Sequence, residues 1–187
     1  MVDEKLGTHS PDLTGPQEYL TAAQAGLSVE QRIVLARKPW REAASDHPID
    51  VDVLAHKLIL QLLVRDAEVR VRQALAETLA ENPAAPRDII FALATDVDLV
   101  ASPALSLSEI LTSDELIRII DHFGSSLKMA AIANRREVAS AVCHALIEKG
   151  DEDTADRLLQ NPGAEISEAG MHLIIDRHGK RERIQIG

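Results

Sequence analysis

From Gln17 onward, short runs of apolar residues at helical spacing alternate with turn signals. In Leu116, Ile119, Ile120 and Phe123 the apolar positions fall at i, i+3, i+4 and i+7, while Asp114, Glu115, Arg118, Asp121 and His122 take the other side. That pattern predicts an amphipathic helix. Thr112 and Glu115 stand at capping-box spacing, which would satisfy the exposed N–H groups at its start. After Asp66, Val71, Leu75 and Leu79 recur every four residues with Arg70, Gln73, Glu77 and Glu81 turned outward, and Asn82-Pro83 ends the pattern. Pro86 suits the first turn of the next helix, through Asp88, Ile89, Ile90 and Leu93, and Asn161-Pro162 repeats the stop signal. The stretch from Val51 to Val64 is apolar on most sides except at His56, Lys57 and Gln61, which predicts a helix between layers.

The helical patterns recur. Asp66-Ala-Glu-Val-Arg-Val-Arg-Gln-Ala-Leu75 has a relative 30 residues later in Asp96-Val-Asp-Leu-Val-Ala-Ser-Pro-Ala-Leu105, with Asp66 matching Asp96 and Ala74-Leu75 matching Ala104-Leu105. Leu75, Leu105, Ile132 and Leu159 are spaced 30, 27 and 27 residues apart. Leu93, Ile119, Leu146 and Ile174 between them are spaced 26, 27 and 28. Two interleaved series of nearly equal period are what stacked helical hairpins produce, because each hairpin must bury its apolar face on its neighbours.

Composition agrees. Among 187 residues there are 26 Ala and 23 Leu but only four aromatics, Tyr19, Trp40, Phe91 and Phe123, so strong helix formers outweigh strand formers and an all-β chain is excluded. The length suits one domain with a self-sufficient core. Residues 1–16, rich in Gly, Pro, Ser and Thr, read as a flexible arm; 17–178 as a single helical-repeat domain; 179–187 as a basic tail, continuing the run Arg177-His-Gly-Lys-Arg-Glu-Arg183. The net charge of −10 opposes binding to a phosphate backbone. Cys143 is the lone cysteine and excludes an internal disulfide. No signal-peptide pattern opens the chain, and the apolar run Leu58–Val64 is far too short to span a bilayer, so the expectation is a cytoplasmic protein with no membrane contact.

Asp66-Ala-Glu-Val-Arg70, followed by Ala74-Leu75-Ala76, resembles the second helix of a HEAT repeat, in which an Asp opens the helix and a Val-Arg pair follows. The wider string resembles a bacterial family of unknown function with HEAT-like repeats. The resemblance rests on Val69-Arg70, Ala84-Ala85-Pro86, Leu93-Ala94 with Asp96, Ser102-Pro103, Leu111-Thr112 with Asp114-Glu115-Leu116, Ala131-Ile132-Ala133 with Arg135, and Leu159 with Asn161. It covers roughly residues 54 to 176 and implies a right-handed α-solenoid, a form that generally binds other proteins on a groove or edge. Later repeats lack the Val-Arg pair, and Pro103 falls inside a helix, where it should cause a kink or mark a restart.

Candidate chemistry is sparse. Asp66 and Arg70 stand at i, i+4 and can pair on one helix, or Arg70 can reach a neighbouring repeat. Arg135 and Arg136 follow a helix end, where cations offset the carbonyl pole of the helix or meet an acidic partner. His144 and His172 lie on polar stripes, Ser140/His144/Glu148 and Glu168/His172/Asp176, which suits solvated surface or a pH-sensitive partner face. Trp40, in Lys38-Pro-Trp-Arg41, is either core filler or a partner anchor. Cys143 reads as packing, not as a dyad with His144, since consecutive helical residues diverge by about 100°. No catalytic, cofactor or metal-ligand constellation is present in the sequence.

The expectation is therefore a non-enzymatic scaffold or adaptor for a protein partner, contacting it through Trp40, Arg135, Arg136, His144 and His172. Two alternatives remain at this stage. One is a HEAT-like enzyme resembling DNA glycosylases, disfavoured by charge and by the scarcity of stacking aromatics. The other is a small-ligand sensor with a pocket between repeats. Neither the partner nor the oligomeric state is fixed by the sequence.

Overall fold

Side chains that start helices recur along the chain. Ser28, Glu68, Thr112, Ser125 and Asp151 each accept a hydrogen bond from a backbone N–H in the first turn that follows. Such caps satisfy donors that a helix cannot satisfy internally. At Ser28 and Thr112 the box is complete, with Gln31 and Glu115 returning a bond to the cap backbone.

The computed structural model describes residues 26–37 and 51–178, with no side-chain description at 51–56 or 178. The arm at 1–16 and the tail at 179–187 lie outside the described residues, as does Trp40. Ten α-helices fill the described chain: α1 Val29–Ala36, α2 Val51–Leu63, α3 Val69–Leu79, α4 Arg87–Ala94, α5 Asp98–Leu107, α6 Ser113–Phe123, α7 Ser126–Ala133, α8 Ser140–Lys149, α9 Glu152–Gln160 and α10 Glu168–His178. Among the described residues there is no strand, and their fold is all-helical.

Packing follows alternate helices. α1, α3, α5, α7 and α9 touch in succession, and α6, α8 and α10 do likewise. The core runs between and along these series. Leu75, Leu105 and Ile132 are fully buried, as are Leu93, Ile119 and Leu146, with Ile174 nearly so. Small side chains fill the places where backbones approach, among them Ala74, Ala76, Ala101, Ala104 and Ala133.

The expected register slips at one point. Leu159 is 47% exposed and Leu158 takes the buried place, because α9 turns Thr154, Ala155 and Leu158 inward together. Phe123, expected on the buried stripe of α6, is 47% exposed at the helix end. α2 is less enclosed than its composition suggests, since Leu58 and Leu62 are exposed. α5 continues through Pro103 without a restart.

A polar ladder ties the first turns of the odd-numbered helices together. Arg32 on α1 grips Asp66 before α3 through two bonds, at 2.6 and 3.1 Å. Arg72 on α3 grips Asp96 before α5 in the same way, at 2.6 and 2.9 Å. This is the physical content of the matched Asp66 and Asp96. The ladder continues with hydroxyls, as the Ser125 Oγ donates to Asp98 at 2.6 Å and the Ser126 hydroxyl bonds the Asp151 carboxylate. Burial alone would raise the Asp96 carboxyl, but bonds from Arg72 and the Val97 N–H outweigh it and hold the carboxyl below its usual range. Asp66 is thus committed to Arg32, not Arg70, which reaches Glu68 at 3.3 Å and Glu30 on α1 at 3.8 Å.

Candidate interaction groove

At the other ends of the odd-numbered helices, side chains from later hairpins close the carbonyl poles of earlier ones. Arg135, just after α7, donates to Leu105 O at 2.6 Å and Ser108 O at 2.7 Å, closing the end of α5. Asn161, just after α9, donates to Ala133 O at 2.8 Å and Arg135 O at 2.7 Å, closing the end of α7. Arg177 does the same for α8, through Ile147 O and through Glu148 O at 2.7 Å. Orphan carbonyls and the negative helix pole favour such donors. The loop after α9 also lies directly on the loop after α7: Val138 N donates to Gly163 O and Glu165 N to Val138 O, both at 2.9 Å. A Cβ at position 163 would collide with the Arg136 carbonyl oxygen, so the contact requires glycine.

These stacked loops form a groove of about 850 Å³. It runs over the same region of four consecutive hairpins: residues 80–83 after α3, 106 and 107 at the end of α5 with 109–111 beyond it, 134–139 after α7, and Gly163 and Glu165 after α9. Its lining mixes the apolar Leu107, Ile110, Leu111, Leu116, Val138 and Val142 with charged groups. Four of these are glutamates, Glu81, Glu109, Glu137 and Glu165, spaced 28 residues apart at every step and all exposed. Arg135 and Arg136 are the cations of the lining. No histidine or cysteine lines the groove, so its lining offers no Ser–His or Cys–His pair.

The sequence-predicted contact residues separate in the structure. Arg135 is only 9% exposed, and two of its guanidinium nitrogens are spent on backbone carbonyls; burial lowers its pKa. It forms part of the groove wall and is not a free surface cation. Arg136 is exposed on the rim, paired with Glu109 at 2.5 Å. His144 and His172 lie on α8 and α10, outside the groove lining, each near a carboxylate of its own helix: Glu148 at 3.5 Å and Glu168 at 4.0 Å. Cys143 is buried, its thiol bonded to Val138 O at 3.3 Å and pushed up to about 11 by burial, which fits packing and not reactivity.

The glutamate row escaped the reading of the sequence, which followed apolar columns. The signal was present all the same, since four glutamates at an unvarying 28-residue step need no alignment to be found. The inter-hairpin Arg–Asp pairs were partly visible, through the matched aspartates, but their arginine partners were not.

Among the described residues, no group of three or more His, Cys, Asp or Glu side chains is placed to hold a metal ion, and no helix is long and apolar enough to cross a membrane. No curated protein and no solved structure matches the chain. Residues 100–186 match the model of the family described as uncharacterised protein conserved in bacteria (DUF2336), so the part of the chain from α5 through α10 carries that bacterial family's sequence pattern.

Proposed function

We propose that this chain is a HEAT-like repeat protein, a right-handed α-solenoid that acts without catalysis as a scaffold or adaptor for a protein partner. The observation that carries the proposal is the groove of about 850 Å³ built from the same loop of four consecutive hairpins. A surface made by repetition offers length instead of a single enclosed pocket, which suits an extended protein segment. Contacts between alternate helices in both series support the repeat architecture. The acidic row works against a phosphate backbone, and with it the glycosylase-like alternative.

The test is capture from a bacterial lysate with the wild-type chain and with Ala139→Trp, which places a large ring in the groove from an exposed position. Circular dichroism establishes first that both are folded. The proposal expects proteins held by the wild type and lost by the variant. Identical captured sets would overturn it.

The groove's volume also lies within the roughly 300 to 1,000 Å³ of small-molecule sites, which favours the ligand-sensor reading as a second one. Thermal-shift screening against a metabolite library separates the two: a stabilising ligand displaced by Ala139→Trp would support the sensor.

A further inference from the structure

The groove differs from a neutral docking surface in the regularity of its charge. Glu81 and Glu109 occupy the same place, two residues beyond the ends of α3 and α5. Glu137 and Glu165 stand further along their loops, on either side of the parallel bridge that pairs Val138 with Ala164. All four are exposed and line one groove together with the buried apolar side chains Leu111, Leu116, Val138 and Val142.

The two arginines of the lining offset the row of four glutamates only in part. Arg135 keeps its charge, which reaches Glu109 electrostatically, but two of its guanidinium nitrogens are bonded to the carbonyls at the end of α5. Arg136 faces Glu109, but both partners are more than two-thirds exposed, at 79% and 71%, and so exposed a pair is held weakly. An incoming cation can take the place of Arg136 on Glu109. Glu81, Glu137 and Glu165 have no intramolecular ion pair of 4.0 Å or less among the described residues.

We infer that the groove receives an extended, basic peptide segment of a partner protein, with its Lys or Arg side chains on the glutamate row and its apolar side chains against the apolar part of the lining. This rests on the adaptor reading above and names the partner's chemistry. Charge complementarity selects the occupant, because a row of acids on an already acidic protein repels acidic segments and attracts basic ones. The spacing narrows it further. Packed helices lie about 8 to 10 Å apart, and a polyproline II chain advances about 3.1 Å per residue with three residues per turn, so a cation at every third residue falls on one face and keeps step with the row.

The probe is a fluorescein-labelled dodecapeptide with Arg at every third position and Leu and Pro between, titrated by anisotropy at about 0.15 M salt, where distant charges are screened. Its Glu-for-Arg counterpart serves as the charge control. The proteins are the wild type, the triple variant Glu81→Gln/Glu137→Gln/Glu165→Gln, and a charge-matched triple, Asp88→Asn/Asp114→Asn/Asp156→Asn, altered at exposed sites off the groove. The expected result is saturable binding of the Arg peptide to the wild type, weakened about tenfold by the groove triple, changed less than about twofold by the charge-matched triple, and absent for the Glu peptide. Equal weakening by both triples, or no binding of the Arg peptide, would overturn the inference.

The two readings fail separately. If lysate proteins lost by Ala139→Trp are still captured by the groove triple, the groove is an adaptor surface and the basic-segment inference falls. If Ala139→Trp loses nothing, the adaptor reading falls first.

Discussion

Arg135 provides a sharp test of whether the groove wall is structural. Replacing it with Met keeps much of the aliphatic volume but removes the two donors that Leu105 O and Ser108 O receive at 2.6 and 2.7 Å. Both residues supplying those carbonyls are fully buried. A hydrogen bond from a charged donor is worth about 1.5 to 3 kcal/mol, which gives a gross loss of about 3 to 6 kcal/mol for the pair. Two effects offset part of it: the guanidinium no longer has to be desolvated, and water from the groove that Arg135 lines can enter the space the guanidinium leaves. A net destabilisation of about 2 to 3 kcal/mol is expected, a large share of the roughly 5 to 15 kcal/mol that holds a typical domain folded. The assay is urea unfolding followed by circular dichroism at 222 nm, in which a slope of about 1 to 3 kcal/mol per molar turns that loss into a midpoint shift of about 1 M or more. Arg136→Met, at a site 79% exposed, is the companion variant and should move stability by less than about 0.5 kcal/mol. Equal midpoints for Arg135→Met and the wild type would refute the assignment of Arg135 as a helix-closing residue.

Two further expectations follow from the same geometry. Leu158→Ala should cost about 2 to 5 kcal/mol in the same unfolding assay while Leu159→Ala costs less than about 0.5, since only Leu158 is buried; the reverse order would show the α9 register to be wrong. The Asp151 carboxyl is held at about 2 by bonds from the Ser126 hydroxyl and from the Thr154 N–H and hydroxyl. Its folded pKa is below its ordinary value of 3.8, so its contribution to stability is present above about pH 4 and is lost as pH falls toward 2. Acid unfolding of Asp151→Asn should therefore be flatter than that of the wild type across this window, and parallel curves would count against the ladder at α7 and α9.

The helical class and the recurrence of buried apolar positions were legible because they rest on local chemistry. Three-and-four spacing, the Thr112–Glu115 box and the Asn-Pro stops act within a few residues, and the interleaved leucines and isoleucines repeat one packing problem along the chain. The slip at Leu159 shows where that reasoning ends. Leu158 and Leu159 are equally apolar, and only the rotation of α9 against its neighbours decides between them. The same limit applied to the charges. Asp66 was matched correctly with Asp96, but its partner Arg32 stands 34 residues away, and nothing local separates that choice from Arg70 four residues on. Arg135 was legible as a cation at a helix end, but that the end it closes belongs to α5 and not to its own α7 depends on the direction of a side chain, which sequence does not report. The glutamate row needed a different question, whether the polar positions repeat as the apolar ones do.

If the four loops form one docking groove for a basic segment, such a segment must perturb all four together. The most direct measurement is a ¹⁵N–¹H correlation spectrum of the wild-type chain titrated with the Arg-bearing dodecapeptide. The expected shifts are confined to residues 80–83, 106–111, 134–139 and 163–165 and saturate together with a single dissociation constant. Shifts centred on the surface around His144 and His172, or spread evenly over the acidic exterior, would contradict it.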